Sequence, residues 1–259
     1  MQLPLLRVFL AVSLAHLVGD FPFQPGFLLE RKRFRWWAIL AHGVIHWILL
    51  ALCLIFFATP LQLAPWRLFL LTFVYVAIHL LVDAARQHLF ADSILVLAMD
   101  QVLHLATIIG LTICITNAGW HEIHSLVAPA QSTRDLMLSG GIVYTTVIFA
   151  GGYLIRYMTR GLVHRLPTEV VGEPTEQLKN AGLYIGWLER LLIITAVVLR
   201  SPALIGLILT GKSIARFPEM KEPKFAEYFL IGTLLSIGIA LFGGLVLLKA
   251  WHGTVSLQP

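Results

Sequence analysis

Residues 36–58 read WWAILAHGVIHWILLALCLIFFA, an unbroken apolar run without a single Asp, Glu, Lys or Arg. A helix of that length, rising about 1.5 Å per residue, crosses the roughly 30 Å of hydrocarbon in a bilayer. The stretch reads as a transmembrane helix. It carries two imidazoles, His42 and His46, four residues apart. On a helix that spacing puts both side chains on one face, about one turn apart.

Seven further apolar segments flank it, at about 4–21, 66–87, 93–115, 138–158, 180–200, 202–217 and 225–250. The first and seventh are short for a full span, which implies tilt or partial insertion. Hydrophobic residues make up 58% of the 259 positions and charged residues 13%, with a mean hydropathy of +0.82. Soluble domains average about 25% charged residues, so this chain lacks the side chains to cover a water-facing surface. The expected fold is all-α, a polytopic membrane bundle of about eight segments whose N-terminal four-helix part has a polar interior layer. Residues 1–115 would form that half, 116–137 a non-cytoplasmic loop, and 138–259 a second half of four segments. No small-residue cleavage site follows the first apolar run, so it is read as a retained helix. Cys53 and Cys114 lie inside apolar runs and suggest packing, not a disulfide framework.

The net charge of +5 does not point to nucleic acid, because the cations cluster in short loops. These are Arg31, Lys32, Arg33 and Arg35; Arg86; Arg156, Arg160 and Arg165; and Lys212, Arg216, Lys221 and Lys224. The intervening connections 59–65 and 116–137 carry few. The positive-inside rule then places the basic loops in the cytoplasm and both termini outside it. The stretch 159–179, with Pro167, Gly172 and Pro174, reads as a cytoplasmic loop and hinge.

Each of the first four segments carries one polar pair at i,i+4: His16 and Asp20, His42 and His46, His79 and Asp83, Asp100 and His104. Successive helices run in opposite directions. The first and third pairs lie near helix ends, the second and fourth near helix starts, so all eight residues fall at one depth. A carboxylate at mid-membrane costs about 2.5–3.5 kcal/mol on insertion scales, so three cost about 7–10 together. Such groups need a partner. Imidazole with carboxylate suits Zn²⁺, Mn²⁺ or iron, and eight ligands can hold one or two such ions. Paired ions can activate water and stabilise a displaced oxyanion. Direct His–Asp hydrogen bonds, or a proton relay, would use the same residues. His88 and Asp92 share the spacing but fall in a turn. His121–His124 (HEIH) lacks the HExxH spacing and reads as a solvated loop.

The stretches AHLVGDFPFQPGFLLERKR (15–33), HGVIH (42–46), HLLVDAAR (79–86) and DQVLHL (100–105) resemble the start of a bacterial membrane family, domain of unknown function 3307. GLYIGWLERLLI (182–193), GKSIARF (211–217) and EYFLIGTLLSIGIAL (227–241) look like the later part of its longer members. The resemblance implies a bacterial inner-membrane location and carries over no activity.

In the second half, Glu189, Arg190, Lys212, Arg216 and Glu227 interrupt apolar segments. They suggest a cationic pocket for the charged head of a lipid, Arg being suited to bidentate phosphate contacts. Internal ion pairing is the competing reading. Gly186, Gly206, Gly211 and Gly232 suggest close helix packing. Together these features point to a metal-dependent hydrolase acting on a lipid or lipid-linked ester at the cytoplasmic leaflet. A transporter or channel for divalent ions or protons is the alternative. In either case the partner is a membrane component or ion, not nucleic acid.

Reporter fusions to either terminus should report a non-cytoplasmic location, and fusions after Arg86 or Lys221 a cytoplasmic one. A cytoplasmic terminus would mean that one of the two short segments does not cross.

Overall fold

The computed structural model describes residues 5–24, 35–59, 63–89, 93–127, 132–163 and 181–251. The loop cations Arg31–Arg33, Asp92, and the hinge residues Arg165, Pro167, Gly172 and Pro174 lie outside this range. So does the side chain of His88.

Every apolar segment is helical, and no strand occurs among the described residues. The helices are α1 (Leu5–Asp20), α2 (Trp36–Phe57), α3 (Pro65–Leu89), α4 (Ile94–Thr116), α5 (Thr133–Thr145), α6 (Gly151–Val163), α7 (Ala181–Val198), α8 (Pro202–Ala215) and α9 (Pro223–Trp251). Five spans are long and apolar enough to cross a membrane: Trp36–Phe57, Pro65–Gln87, Leu95–Thr116, Thr133–Arg160 and Pro223–Trp251. The fold is a polytopic helical bundle. Local signals set several boundaries. Pro65, Pro202 and Pro223 each open a helix, where a missing N–H costs nothing. The Ser93 hydroxyl accepts a hydrogen bond from the Val96 amide and caps α4.

The connection 116–137 contains more structure than a loop. Trp120–Val127 is a 3₁₀ helix, and α5 starts at Thr133, not near 138. Ser132 caps α5 by accepting from the Asp135 amide, and Arg7 reaches across to Asp135 (2.9 Å) and to Ser132. That buried pair holds the start of α5 against the start of α1. The sequence disguised it because Asp135 stands beside Arg134 in a polar stretch. The HEIH residues sit within the 3₁₀ helix, where Glu122 accepts from the Gly119 amide and His124 meets the carbonyl of His121.

The chain divides into two compact units, one from residue 1 to Ile142 and one from Val143 to His252. In the first, α1 packs on α2, α2 on α3, α3 on α4 and α4 on α1, a closed ring of four helices. Its apolar core is Val8, Ala11, Val12, Leu50, Leu54, Ile108, Leu111, Ile115 and Leu138. The outward faces are apolar too: Leu40, Val44, Ile48, Leu52 and Ile55 on α2 are exposed, while His42 and His46 are buried. Polar groups inside with large aliphatics outside invert the pattern of a water-soluble domain and suit a lipid surround.

In the second unit α9 packs on α7 and α6, and α8 packs on α7. Arg200 (φ 54°) closes α7 in the left-handed region, with Ser201 N–H bonded to the Ala196 carbonyl and Arg200 N–H to that of Val197. The close approaches fall at Gly243, against Val147, and at Gly244, where an added Cβ would lie 2.6 Å from Val197. Gly206, Gly211 and Gly232, expected at helix contacts, instead face open space within the chain. Spacing alone could not say which face of a helix meets a neighbour.

Gly244→Ala should therefore lower thermal stability, since overpacking costs about 1–3 kcal/mol against about 1 kcal/mol gained in helix propensity. Gly232→Ala should leave stability equal or higher. Equal losses at both sites in detergent melting curves would contradict this packing.

Candidate metal centre

All eight His and Asp residues of the four i,i+4 pairs meet inside the first unit. Each helix of the ring supplies two, and the alternation of helix direction brings them to one level. His16, His42, His46, His79, Asp100 and His104 are buried at 4% exposure or less. Asp20 and Asp83 keep 12% and 16% of their side chains accessible. The layer therefore opens on its carboxylate side, where α1 ends and α3 nears its end.

The geometry is organised by these two carboxylates. Asp20 Oδ1 faces the Nε2 atoms of His46 (3.1 Å), His42 (3.3 Å) and His79 (3.5 Å). Asp20 Oδ2 faces His16 Nε2 at 3.4 Å. Asp83 Oδ2 faces His42 Nε2 (3.4 Å) and His79 Nε2 (4.0 Å), and Asp83 Oδ1 faces His104 Nε2 (3.6 Å). His42 and His79 bring Nε2 to Nε2 at 3.1 Å. Most of these separations are too long for a good N–H···O hydrogen bond. They match another standard: four ligands at 2.0–2.1 Å from a tetrahedral ion stand about 3.3–3.4 Å apart. Five of the six edges among Asp20, His42, His79 and Asp83 lie between 3.1 and 4.0 Å.

Three overlapping sets are positioned to hold an ion: His16, Asp20, His46 and His79; Asp20, His42, His79 and Asp83; and Asp83, Asp100 and His104. His104 shows how a ligand is oriented. Its Nδ1 lies 2.9 Å from the carbonyl of Asp100 one turn back, which fixes the proton there. Nε2 is then left as a lone pair, buried and without a hydrogen-bond partner. The sequence pattern missed three supporting residues. Arg86 Nη1 (3.3 Å) and Gln101 Nε2 (3.1 Å) both donate to Asp100 Oδ2. Gly19 makes room for His46, whose Nε2 would lie 2.5 Å from any Cβ added there. The one available signal was adjacency: each of these stands within three residues of a paired His or Asp. Among the described residues the layer holds three carboxylates and one guanidinium, a deficit that a divalent cation cancels.

In the second unit the expected headgroup residues have protein partners. Arg190 donates through Nε and Nη2 to the carbonyl of Ile148 (3.1 and 2.7 Å), which lies in the π-helical turn Thr146–Ala150. Gly152 and Gly186 leave the space its guanidinium fills. Lys212 pairs with buried Glu189 at 2.6 Å, and Arg216 pairs with Glu219 at 3.2 Å on the surface. Glu227 is exposed.

Replacing His42 and His46 together by Ala should sharply lower metal occupancy, measured by elemental analysis of the purified protein. Chelation should lower the melting temperature of the wild type more than that of the double variant. Saturation at a hundredfold excess over the dissociation constant stabilises by about 2.7 kcal/mol. A wild type indifferent to chelator, with no bound metal, would assign the layer to His–Asp hydrogen bonding.

No curated protein and no solved structure matches this chain. The resemblance in the later segments, 182–241, falls outside the stretch that the matching family model covers. That stretch holds all eight residues of the metal layer: residues 8–130 match the family model described as Protein of unknown function (DUF3307).

Proposed function

We propose that the protein is a membrane-embedded, metal-dependent hydrolase that cleaves a phosphoester or acyl ester of a lipid or lipid-linked substrate at the cytoplasmic leaflet. The observation that carries this reading is the one-sided closure of the His/Asp layer. Beyond His16, His46, His79 and His104 the ring is filled mainly by Val8, Val12, Leu50, Leu54, Val76, Ile108 and Leu111, all buried, with the hydroxyls of Ser13, Thr72, Tyr75 and Thr112 scattered among them. An ion in transit would need further ligands along that path, and the described interior there supplies aliphatic side chains and neutral hydroxyls, with no imidazole or carboxylate short of Asp135, which Arg7 already pairs. Access from the carboxylate side suits a substrate that arrives and leaves by the same face. A cavity of about 10 Å³ beside Asp83, lined by Ile39, Leu80, Ala84 and Gln87, has room for about one water molecule.

A divalent Zn, Mn or Fe ion in this setting would activate water and polarise the ester oxygen. The chain's own residues supply the rest. The imidazoles, locked by burial, hold the geometry, and the carboxylates set the charge and are the groups near enough to the opening to take up a proton. Of the three cations read as headgroup ligands, Arg216 is the one able to meet a headgroup, because its surface pair with Glu219 is worth at most about 1 kcal/mol. Arg190 and Lys212 hold internal partners.

The test is to incubate detergent-solubilised protein with cell-membrane lipids and Zn²⁺ or Mn²⁺, and to follow the lipids by mass spectrometry. A metal-dependent product that disappears in the His42→Ala/His46→Ala variant is the expected result. Metal uptake into proteoliposomes, without any change in the lipids, would overturn the hydrolase and establish transport.

A further inference from the structure

The three ligand sets are not equivalent, and their overlap says how many ions the layer takes. The first two share Asp20 and His79, and His42, His46 and His79 all face the same oxygen, Asp20 Oδ1. The one lone pair of His79 Nε2 cannot ligate two ions at once, so these sets are alternative halves of a single position. The third set, Asp83, Asp100 and His104, shares only Asp83 with the second and nothing with the first. Its link runs through a different atom: Asp83 Oδ2 faces His42 and His79, while Asp83 Oδ1 faces His104.

We infer that Asp83 is a bridging carboxylate between two metal positions, a first one on Asp20, His42, His79 and Asp83 and a second one on Asp83, Asp100 and His104. The inference rests on the metal reading above and goes beyond it in number and in ligand roles. Two observations independent of Asp83 point to an ion at the second position. His104 Nε2 is buried with its proton committed to Nδ1, so it offers a lone pair and has nothing to accept. Asp100 Oδ1 is likewise buried without a hydrogen-bond partner, although Oδ2 of the same carboxylate takes two bonds, from Arg86 and Gln101. Leaving both buried acceptors unserved is costly, and a cation among them satisfies both at once.

The second position has three protein ligands where the first has four, so its remaining coordination site is left to water or substrate, as in catalytic sites, with Asp83 at the exposed edge. The ion held by four protein ligands is the more tightly retained one. Arg86, one turn from Asp83 and partly exposed, is a positioning residue here: it holds Asp100 so that Oδ1 stays turned from solvent.

Mn²⁺ serves as the probe, because two Mn²⁺ joined by a carboxylate give a spin-coupled electron paramagnetic resonance signal distinct from that of isolated ions. Full-length protein, stripped and reloaded with Mn²⁺, should bind two equivalents per chain and show coupling. His104→Gln should retain one equivalent with an uncoupled signal, and Asp100→Asn, nearly isosteric, gives the same readout if the histidine variant does not elute as folded protein. Asp83→Asn should abolish coupling. One equivalent in the wild type overturns the two-ion centre and leaves a one-metal hydrolase standing. Two uncoupled ions that ignore Asp83→Asn overturn the bridge. No bound Mn²⁺ at all overturns this inference together with the metal reading beneath it.

Discussion

Carboxylates do not sit at depth in hydrocarbon without compensation, and the first unit is built around meeting that requirement. Asp20, Asp83 and Asp100 cannot each be served by the chain, because Arg86 is the one described guanidinium in contact with the layer. Five imidazoles surround them, and imidazole can answer a carboxylate either as a hydrogen-bond donor or as a fellow ligand. The separations of 3.3–3.6 Å for most of the pairs favour the second role. The ring of four helices follows from the same need, since no single helix holds enough ligands. The cluster exists only when all four assemble, so any metal held there would couple its affinity to folding.

Supporting features are arranged to the same end. Gly19 is small because His46 occupies the space its side chain would take. The carbonyl of Asp100 sets the tautomer of His104. Mostly aliphatic side chains cover the layer on the far side, where the low dielectric strengthens electrostatic interactions. The edge at Asp20 and Asp83 is its more exposed side.

The second unit solves the same problem by another route. Its buried cation, Arg190, meets a backbone carbonyl, and the π turn at Thr146–Ala150 presents that carbonyl. Glu189, the neighbouring buried anion, meets Lys212 from α8. These two buried charges are each answered by one partner, and among the described residues of that unit no cluster gathers ligands as the first unit does. That difference is why the chemistry is assigned to the first unit.

The sequence by itself determined the membrane class, the positions of the helices and the eight polar residues of the layer. Hydropathy and a four-residue spacing are local properties, and a helix converts spacing directly into a shared face. Alternating helix direction even fixed the common depth. What only the tertiary structure decided was partnership. Arg7 with Asp135, Arg86 with Asp100 and Arg190 with Ile148 join residues 128, 14 and 42 positions apart, and no local spacing names the partner. The same holds for the glycines: Gly19, Gly243 and Gly244 meet a neighbour while Gly206, Gly211 and Gly232 do not. Helical periodicity gives the face a residue lies on, but the rotation of each helix about its axis is set by packing against the others, and that is a property of the assembled bundle.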